Sequence, residues 1–410
     1  MRTIASLTKV KWTVLAASLV KSLLILLVIL FSRIFLRKRD LWLISERYDE
    51  ARDNGYHLFR YVRQHYPAQE IYYVISPTAS DYPKVNRLGN IIYWNTWRHY
   101  WAWITATCLI SSQPRGTEPD PIICRFLEKS KIVTHARVYL KHGIVAVQRP
   151  NYLSPKRMPL DIIAAAAERE RSYLVDIIGY SEKSVQLLGL CRFDELSPNS
   201  PTKRQILIMP TWRRSFRTKP TRRYTFQERE LFLSSEYYRI FNNLLNSSKF
   251  HSLLESTEQT AIFYLHYGMQ QFADAFSTSS SNIIVARREN YDIQTLLNES
   301  SVLVTDYSSV AFDFSYMGKP LVYLQPANDI PYAEHAEHAY YNYDSDGFGP
   351  VTNDVEEAVY YLMLLIQGNC RRPKKFEDRA RRFFPPHDRK NCARTFQAIL
   401  HLSHRNNNSR

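Results

Sequence analysis

A chain of 410 residues, 45% hydrophobic and 23% charged, has the composition of a folded protein of about two domains, which excludes a disordered or low-complexity polymer. A formal net charge of +15 implies anionic partners: nucleic acid, anionic lipid or phosphorylated substrate. Five scattered cysteines, at 108, 124, 191, 370 and 392, form neither a C-x-x-C pair nor a metal-ligand spacing, so they read as reduced, buried thiols and no structural zinc is expected.

The first element in chain order is WTVLAASLVKSLLILLVILFSRIFL, residues 12–36. A secretory signal fits poorly because Lys21 interrupts the run and no small-residue cleavage site follows. The stretch is expected to attach the chain to a membrane, either spanning it or lying in one leaflet with Lys21 reaching the headgroups. Arg37-Lys38-Arg39 would then meet anionic lipid, each charge adding about 1 kcal/mol near the surface. If the segment spans, the basic cluster places the rest of the chain in the cytoplasm.

From Leu41 the pattern turns globular. LWLIS (41–45), IYYVIS (71–76), IIYW (91–94) and CLISS (108–112) read as buried strands. Helical stretches separate them, one carrying Leu58, Phe59 and Val62 and stopped by Pro67, another over 97–107. Strands alternating with helices predict a mainly parallel sheet covered on both faces. Val138 to Leu140 is the next strand, and Lys141-His142-Gly143 turns at its carboxyl end, where open α/β sheets place ligands. A histidine there suits a general base, and the glycine lets a substrate approach the backbone. The same residues also suit a plain surface or capping turn. A proline- and serine-rich linker, SPNSPTK (197–203), marks the expected domain boundary.

The second half opens with a strand, Ile206 to Ile208, followed by Pro210-Thr211-Trp212-Arg213. Arg213 there has the planar donor fork that phosphate accepts, although most arginines are simply solvated. After a polar helical region (226–256), AIFYLHYGM (261–269) gives a strand ending in His266, and IIVAR (283–287) gives another. Then comes SSVLVTDYSSVAFDFSYMGKPLVYL (300–324), a strand, a polar turn at Asp306 to Ser309, a short helix and a further strand. Ser308 and Ser309 stand at a helix start, which suits either a simple cap or a phosphate held by free N–H groups. Asp344-Ser345-Asp346 has the spacing of a short metal-binding pattern, but two carboxylates in a loop are usually just solvated, and no metal is assigned. Asn353 or Asp354 is expected to cap a late helix, and 385–402 to form a closing helix before an unstructured tail.

Taken together, TDYSS-VAFDFSYMGKP, the PTWR segment (210–213), the His142-Gly143 turn and the Gly189/Arg192/Asp194 spacing resemble the CDP-glycerol glycerophosphotransferase family. The resemblance covers roughly 40–400 and keeps the family's motif order. The tract 51–55 is also similar to that family, and as a polar capping turn it is assigned no chemistry. The fold implied is α/β, with two Rossmann-like domains facing a cleft, the glycosyltransferase-B type, behind an N-terminal membrane-associated helix. Expected bounds are 1–39 for the anchor, 40–196 for the acceptor domain, 203–384 for the nucleotide-binding domain and 385–410 for the closing helix and tail.

The resemblance implies transfer of glycerol phosphate or ribitol phosphate from its CDP-activated donor to a hydroxyl of a lipid-linked glycan or polyol-phosphate acceptor. It implies no cofactor and no nucleic acid. His142 is implied as the base and His266 as a second functional histidine, the latter departing from the family's usual His-Pro because Tyr267 follows it. Gly143, Thr211, Arg213, Asp306, Ser308 and Ser309 are implied on the donor's phosphates, with Asp306 arranging the loop's N–H groups. Two other classes stay open: a nucleotide-sugar transferase of the same architecture, and a non-catalytic, membrane-tethered protein for anionic polymer.

Overall fold

The computed structural model describes residues 40–146, 153–196, 202–216, 224–327, 340–385 and 387–408. The expected anchor, 12–36, lies outside them, as do 197–201 of the linker. Among the described residues, no helix is long and apolar enough to cross a membrane. Contacts divide the chain into two compact units, one of residues 1–140, 160–162 and 395–410, the other of 141–159 and 163–394.

The first unit is built on five parallel strands, Trp42–Ser45 (β1), Ile71–Ile75 (β2), Ile91–Tyr93 (β3), Cys108–Ser111 (β4) and Ala136–Tyr139 (β5). Their order is β3-β2-β1-β4-β5, with Trp42 in register with both Ile71 and Cys108. Every residue of β1 and β4 is buried, so these strands read as unbroken apolar runs rather than alternating ones. Helices connect them, and those at Asn54–His65 and Pro121–Lys129 begin on a polar side-chain cap. Asp53 opens Asn54–His65, and Asp120 accepts from the N–H groups of Ile122 and Ile123 beside Pro121. The buried Glu46 carboxyl accepts from the N–H groups of Arg52, Asp53 and Tyr56. Burial and the neighbouring Asp53 push it up to about 8. The tract 51–55 is therefore a capping turn, as its composition suggests.

His99 is fully buried in the Trp97–Thr105 helix, accepting from the Asn95 N–H at 3.1 Å and donating to the Thr117 carbonyl at 2.9 Å. That bonding needs a neutral ring, and burial lowers its pKa to about 4. Between pH 6.5 and 4 the unfolded chain binds the proton that the folded one refuses, so stability falls with pH across that window, by about 3 kcal/mol in all. Urea unfolding at pH 7 and pH 4 should show this loss for the wild type and a smaller one for His99→Gln. Equal losses would remove His99 as the cause.

The C-terminal helix, Asn391–Asn408, places residues 395–410 in the first unit. Phe396 stacks on Tyr66 at 3.9 Å and packs 5.6 Å from Trp42, and Ser403 hydrogen-bonds Asp40. This anchoring carries the helix through Asn408, beyond the expected end at 402, despite the poor helix propensity of asparagine.

In the second unit, residues 163–165 of the strand Ile162–Ala165 (β6) pair with Val185–Leu187 (β7) in parallel, Ile163 opposite Val185. Six further strands follow: Gln205–Ile208 (β8), Thr260–Tyr264 (β9), Ile283–Ala286 (β10), Val302–Thr305 (β11), Leu321–Leu324 (β12) and Val351–Thr352 (β13). They form one parallel sheet in the order β10-β9-β8-β11-β12-β13. The chain runs outward from β8 to β10, then returns to lay β11 on the other side of β8, with Leu207 opposite Leu303. That reversal is a topological switch point, the place where such sheets bind ligands. The polar region 226–256 is three helices, because Thr225, Ser235 and Ser247 each cap a new start.

Candidate functional site

Three of the singled-out loops leave the carboxyl ends of adjacent strands β9, β8 and β11. The residue after β11, Asp306, is wholly buried, and its two oxygens divide between the Thr211 N–H and an Arg213 guanidinium nitrogen, each at 2.8 Å. Arg213 also donates to the Thr211 carbonyl at 3.1 Å and lies 4.7 Å from the Tyr237 ring centre. Its side chain is only 4% exposed. Thr211, Arg213 and Asp306 thus form a rigid frame that locks the loop after β8 to the turn after β11. Asp306 holds the Thr211 N–H of the neighbouring loop, and the guanidinium is turned toward that carboxylate. On the other side, the Arg213 N–H meets the Met269 sulfur at 3.3 Å, and Trp212 sits 6.2 Å from His266. His266 is half-buried and its Nδ1 accepts from the Gly268 N–H at 3.2 Å, which opens a 3-10 helix over Tyr267–Ala275.

Ser308 and Ser309 precede the helix Val310–Tyr316. Ser308 Oγ accepts from the Val310 N–H at 3.4 Å, whereas Ser309 makes no capping bond. Ser309 instead faces the glycine of the His142 turn. A Cβ added to Gly143 would stand 2.7 Å from Ser309 Oγ and 3.1 Å from its Cβ. The structure therefore brings together two motifs far apart in sequence, and glycine is what permits the contact. Gly143→Ala should destabilise the second unit by about 1–3 kcal/mol through this overpacking, or move the turn and lower activity. Melting curves together with transfer rates check this, and a variant unchanged in both would show that the two turns do not touch.

His142 itself is exposed, while its neighbours on both sides are buried. Lys141 adopts a left-handed backbone, φ +59°, and its ammonium is buried against Glu170. Burial lowers the Lys141 pKa, and the attraction of Glu170 opposes that. Glu170 also accepts from the N–H groups of Val145 and Ala166, both at 2.8 Å. Beyond the turn, Arg192 donates to the His142 carbonyl at 3.0 Å and makes a two-pronged ion pair with Asp313, at 2.6 and 3.0 Å.

Sequence reasoning gave no role to Lys141, Glu170, Arg192 or Asp313. The signal for Arg192 was present in the Gly189/Arg192/Asp194 spacing, which now has a physical content. Gly189 has φ +77° and leaves room for the Asn391 side chain, whose oxygen would lie 1.8 Å from an added Cβ. Asp194 caps the start of the last helix, accepting from the Asn391 and Cys392 N–H groups.

The DSD segment is occupied locally. Asp346 pairs with Arg169 at 2.8 Å and accepts from the Asn342 N–H. Among the described residues, no group of three His, Cys, Asp or Glu gathers as metal ligands would. Asp354 caps the Val355–Gln367 helix, one of the two caps expected.

A family model described as CDP-Glycerol:Poly(glycerophosphate) glycerophosphotransferase matches residues 26–401. Among curated proteins, the chain is 28% identical over 371 residues to the minor teichoic acid biosynthesis protein GgaB of Bacillus subtilis, covering 89% of this chain and 40% of that protein. It is 22% identical over 342 residues to the teichoic acid poly(glycerol phosphate) polymerase of the same strain, covering 78% and 43%. A teichoic acid ribitol-phosphate primase of Bacillus spizizenii is 27% identical over 125 residues, 30% of this chain and 31% of that one. The chain thus spans less than half the length of these relatives. Among solved structures, the wall teichoic acid polymerase TagF superposes with a TM-score of 0.63 at 18% identity over 90% of each chain. The S. aureus MnaA–UDP structure gives 0.55 at 12% identity, over 88% of this chain and 96% of that one. At such identities the likeness concerns the fold: α/β with parallel sheets.

Proposed function

Since the chain belongs to the CDP-glycerol:poly(glycerophosphate) glycerophosphotransferase family, we propose that it transfers glycerol phosphate or ribitol phosphate from the CDP-activated donor to an acceptor hydroxyl. The observation that carries this reading is the packing of the His142-Gly143 turn on Ser309 beside the switch point. An exposed histidine and a serine turn with a helix start behind it are what an in-line phosphoryl transfer needs: a base, and donors for the phosphate oxygens.

In the proposed step, the acceptor oxygen attacks the phosphorus next to the polyol. The bond from that phosphorus to the bridging oxygen breaks, CMP leaves, and the acceptor's proton passes to His142. The hydroxyls of Ser308 and Ser309 hold the pyrophosphate oxygens, with His266 at the neighbouring loop. Thr211, Arg213 and Asp306 keep these loops in register. Residues 203–384 act as the nucleotide-binding domain and 40–196 as the acceptor domain. The apolar stretch 12–36 and the net charge of +15 support a membrane-linked acceptor, met at the cytoplasmic face.

The test is the identity of the leaving nucleotide. Purified protein is given CDP-glycerol, CDP-ribitol or a UDP-sugar with a poly(glycerophosphate) primer. CMP released from a CDP-polyol is the expected result, and UDP released from the sugar donor would transfer the chain to the sugar-transferase class.

A further inference from the structure

We propose that Arg192 is a positioning residue for His142, a role that rests on His142 being the base proposed above. Arg192 reaches in two directions from the 3-10 helix Cys191–Glu195. One guanidinium nitrogen donates to the His142 carbonyl, and the fork closes on Asp313, in the helix that begins next to Ser309. The side chains of the pair are 9% and 5% exposed, so its geometry is held in a low-dielectric interior.

The consequence is mechanical. The Val310–Tyr316 helix and the serine just before it meet the base-bearing turn at two points, through Ser309 against Gly143 and through Asp313 by way of Arg192. Two contacts on one short segment fix distance and orientation together, whereas one would leave the turn free to pivot. On the far side, Lys141 and Glu170 hold the same turn, with Glu170 also gripping the Val145 N–H. His142 is exposed to its substrate, yet its backbone is clamped from both sides. A planar fork is needed because one side chain must serve a carboxylate and a carbonyl at once, which an ammonium cannot do with the same geometry. Arg192 touches no reacting atom in this scheme and acts only through the turn.

The experiment uses the full chain with CDP-glycerol and a poly(glycerophosphate) primer, comparing wild type, Arg192→Lys, Asp313→Asn and His142→Ala. Lysine keeps the charge opposite Asp313, so the fold survives while the link to the His142 carbonyl is lost. For Arg192→Lys, kcat should fall about 10- to 100-fold, as a base displaced by about 1 Å does, with the donor KM within about 2-fold of wild type. Asp313→Asn should move in the same direction. The limb of the pH profile that His142→Ala abolishes should keep its position in Arg192→Lys while its plateau drops, because the imidazole is misplaced and not retuned. A wild-type plateau in Arg192→Lys, a loss carried by donor KM, or a loss that tracks the fraction of unfolded protein would each overturn the positioning role. His142→Ala separates the two ideas. If it retains wild-type rates, the base assignment fails. If it is inactive while Arg192→Lys is fully active, the base stands and the positioning role falls.

Discussion

His142→Ala should lower the rate of polyol-phosphate transfer by about 10²- to 10⁴-fold, the range that a positioned general base supplies. Donor affinity should stay close to wild type, because the groups proposed to bind the pyrophosphate lie on other loops, at Ser308, Ser309 and His266. The imidazole is exposed, and the turn is held by its neighbours: the Lys141 ion pair, the Gly143 contact and the Arg192 bond to the main-chain carbonyl, which alanine retains. The variant should therefore melt with the wild type while losing turnover. Isothermal titration with CDP-glycerol and a CMP-release assay on the same preparation measure the two quantities. Loss of binding in proportion to loss of rate would assign His142 to the donor site and leave the base unidentified.

Asp306→Ala has the largest expected effect on stability. Its carboxylate is wholly buried and is held by the Arg213 guanidinium and the Thr211 N–H. Removing it leaves a buried guanidinium without its carboxylate, a change that typically costs about 3–5 kcal/mol. For a unit of this size the melting temperature should drop on the order of 10 °C. The excess cost belongs to the stranded charge, so Asp306→Ala with Arg213→Met should recover a good part of it. Thermal denaturation of the two single variants and the double distinguishes this from simple loss of packing. Additive losses would mean that the pair contributes no coupling and that the frame is held by other contacts.

Much of the fold was legible because its strands are short apolar runs punctuated by Gly, Pro and polar turns, as in Leu321–Leu324 after Gly318 and Pro320. The parallel alternation followed from the same pattern. Less legible was the division of 226–256 into three helices, where the serine caps resembled ordinary polar residues, and the extension of the last helix to Asn408, which depends on Phe396 and Ser403 finding partners far away in sequence. Within the candidate site, the loops at 142, 211–213, 266 and 306–309 could be named from strand ends and motif resemblance. Their mutual arrangement could not. That Asp306 and Arg213 are partners 93 positions apart, or that Gly143 is reserved for Ser309, is information carried by the third dimension alone. The polar pairs that steady the His142 turn were missed for a related reason. Lys141, Glu170 and Asp313 look like ordinary charged residues in the sequence, and only their burial shows that their charges are placed against partners.

The most direct measurement counts products. Wild-type protein is incubated with CDP-glycerol labelled in the glycerol and a poly(glycerophosphate) primer, and primer-bound label is compared with released CMP. One CMP for each glycerol phosphate incorporated, with both signals lost together in His142→Ala, is the predicted result. Primer that gains no label from either CDP-glycerol or CDP-ribitol while a UDP-sugar is consumed would contradict the account.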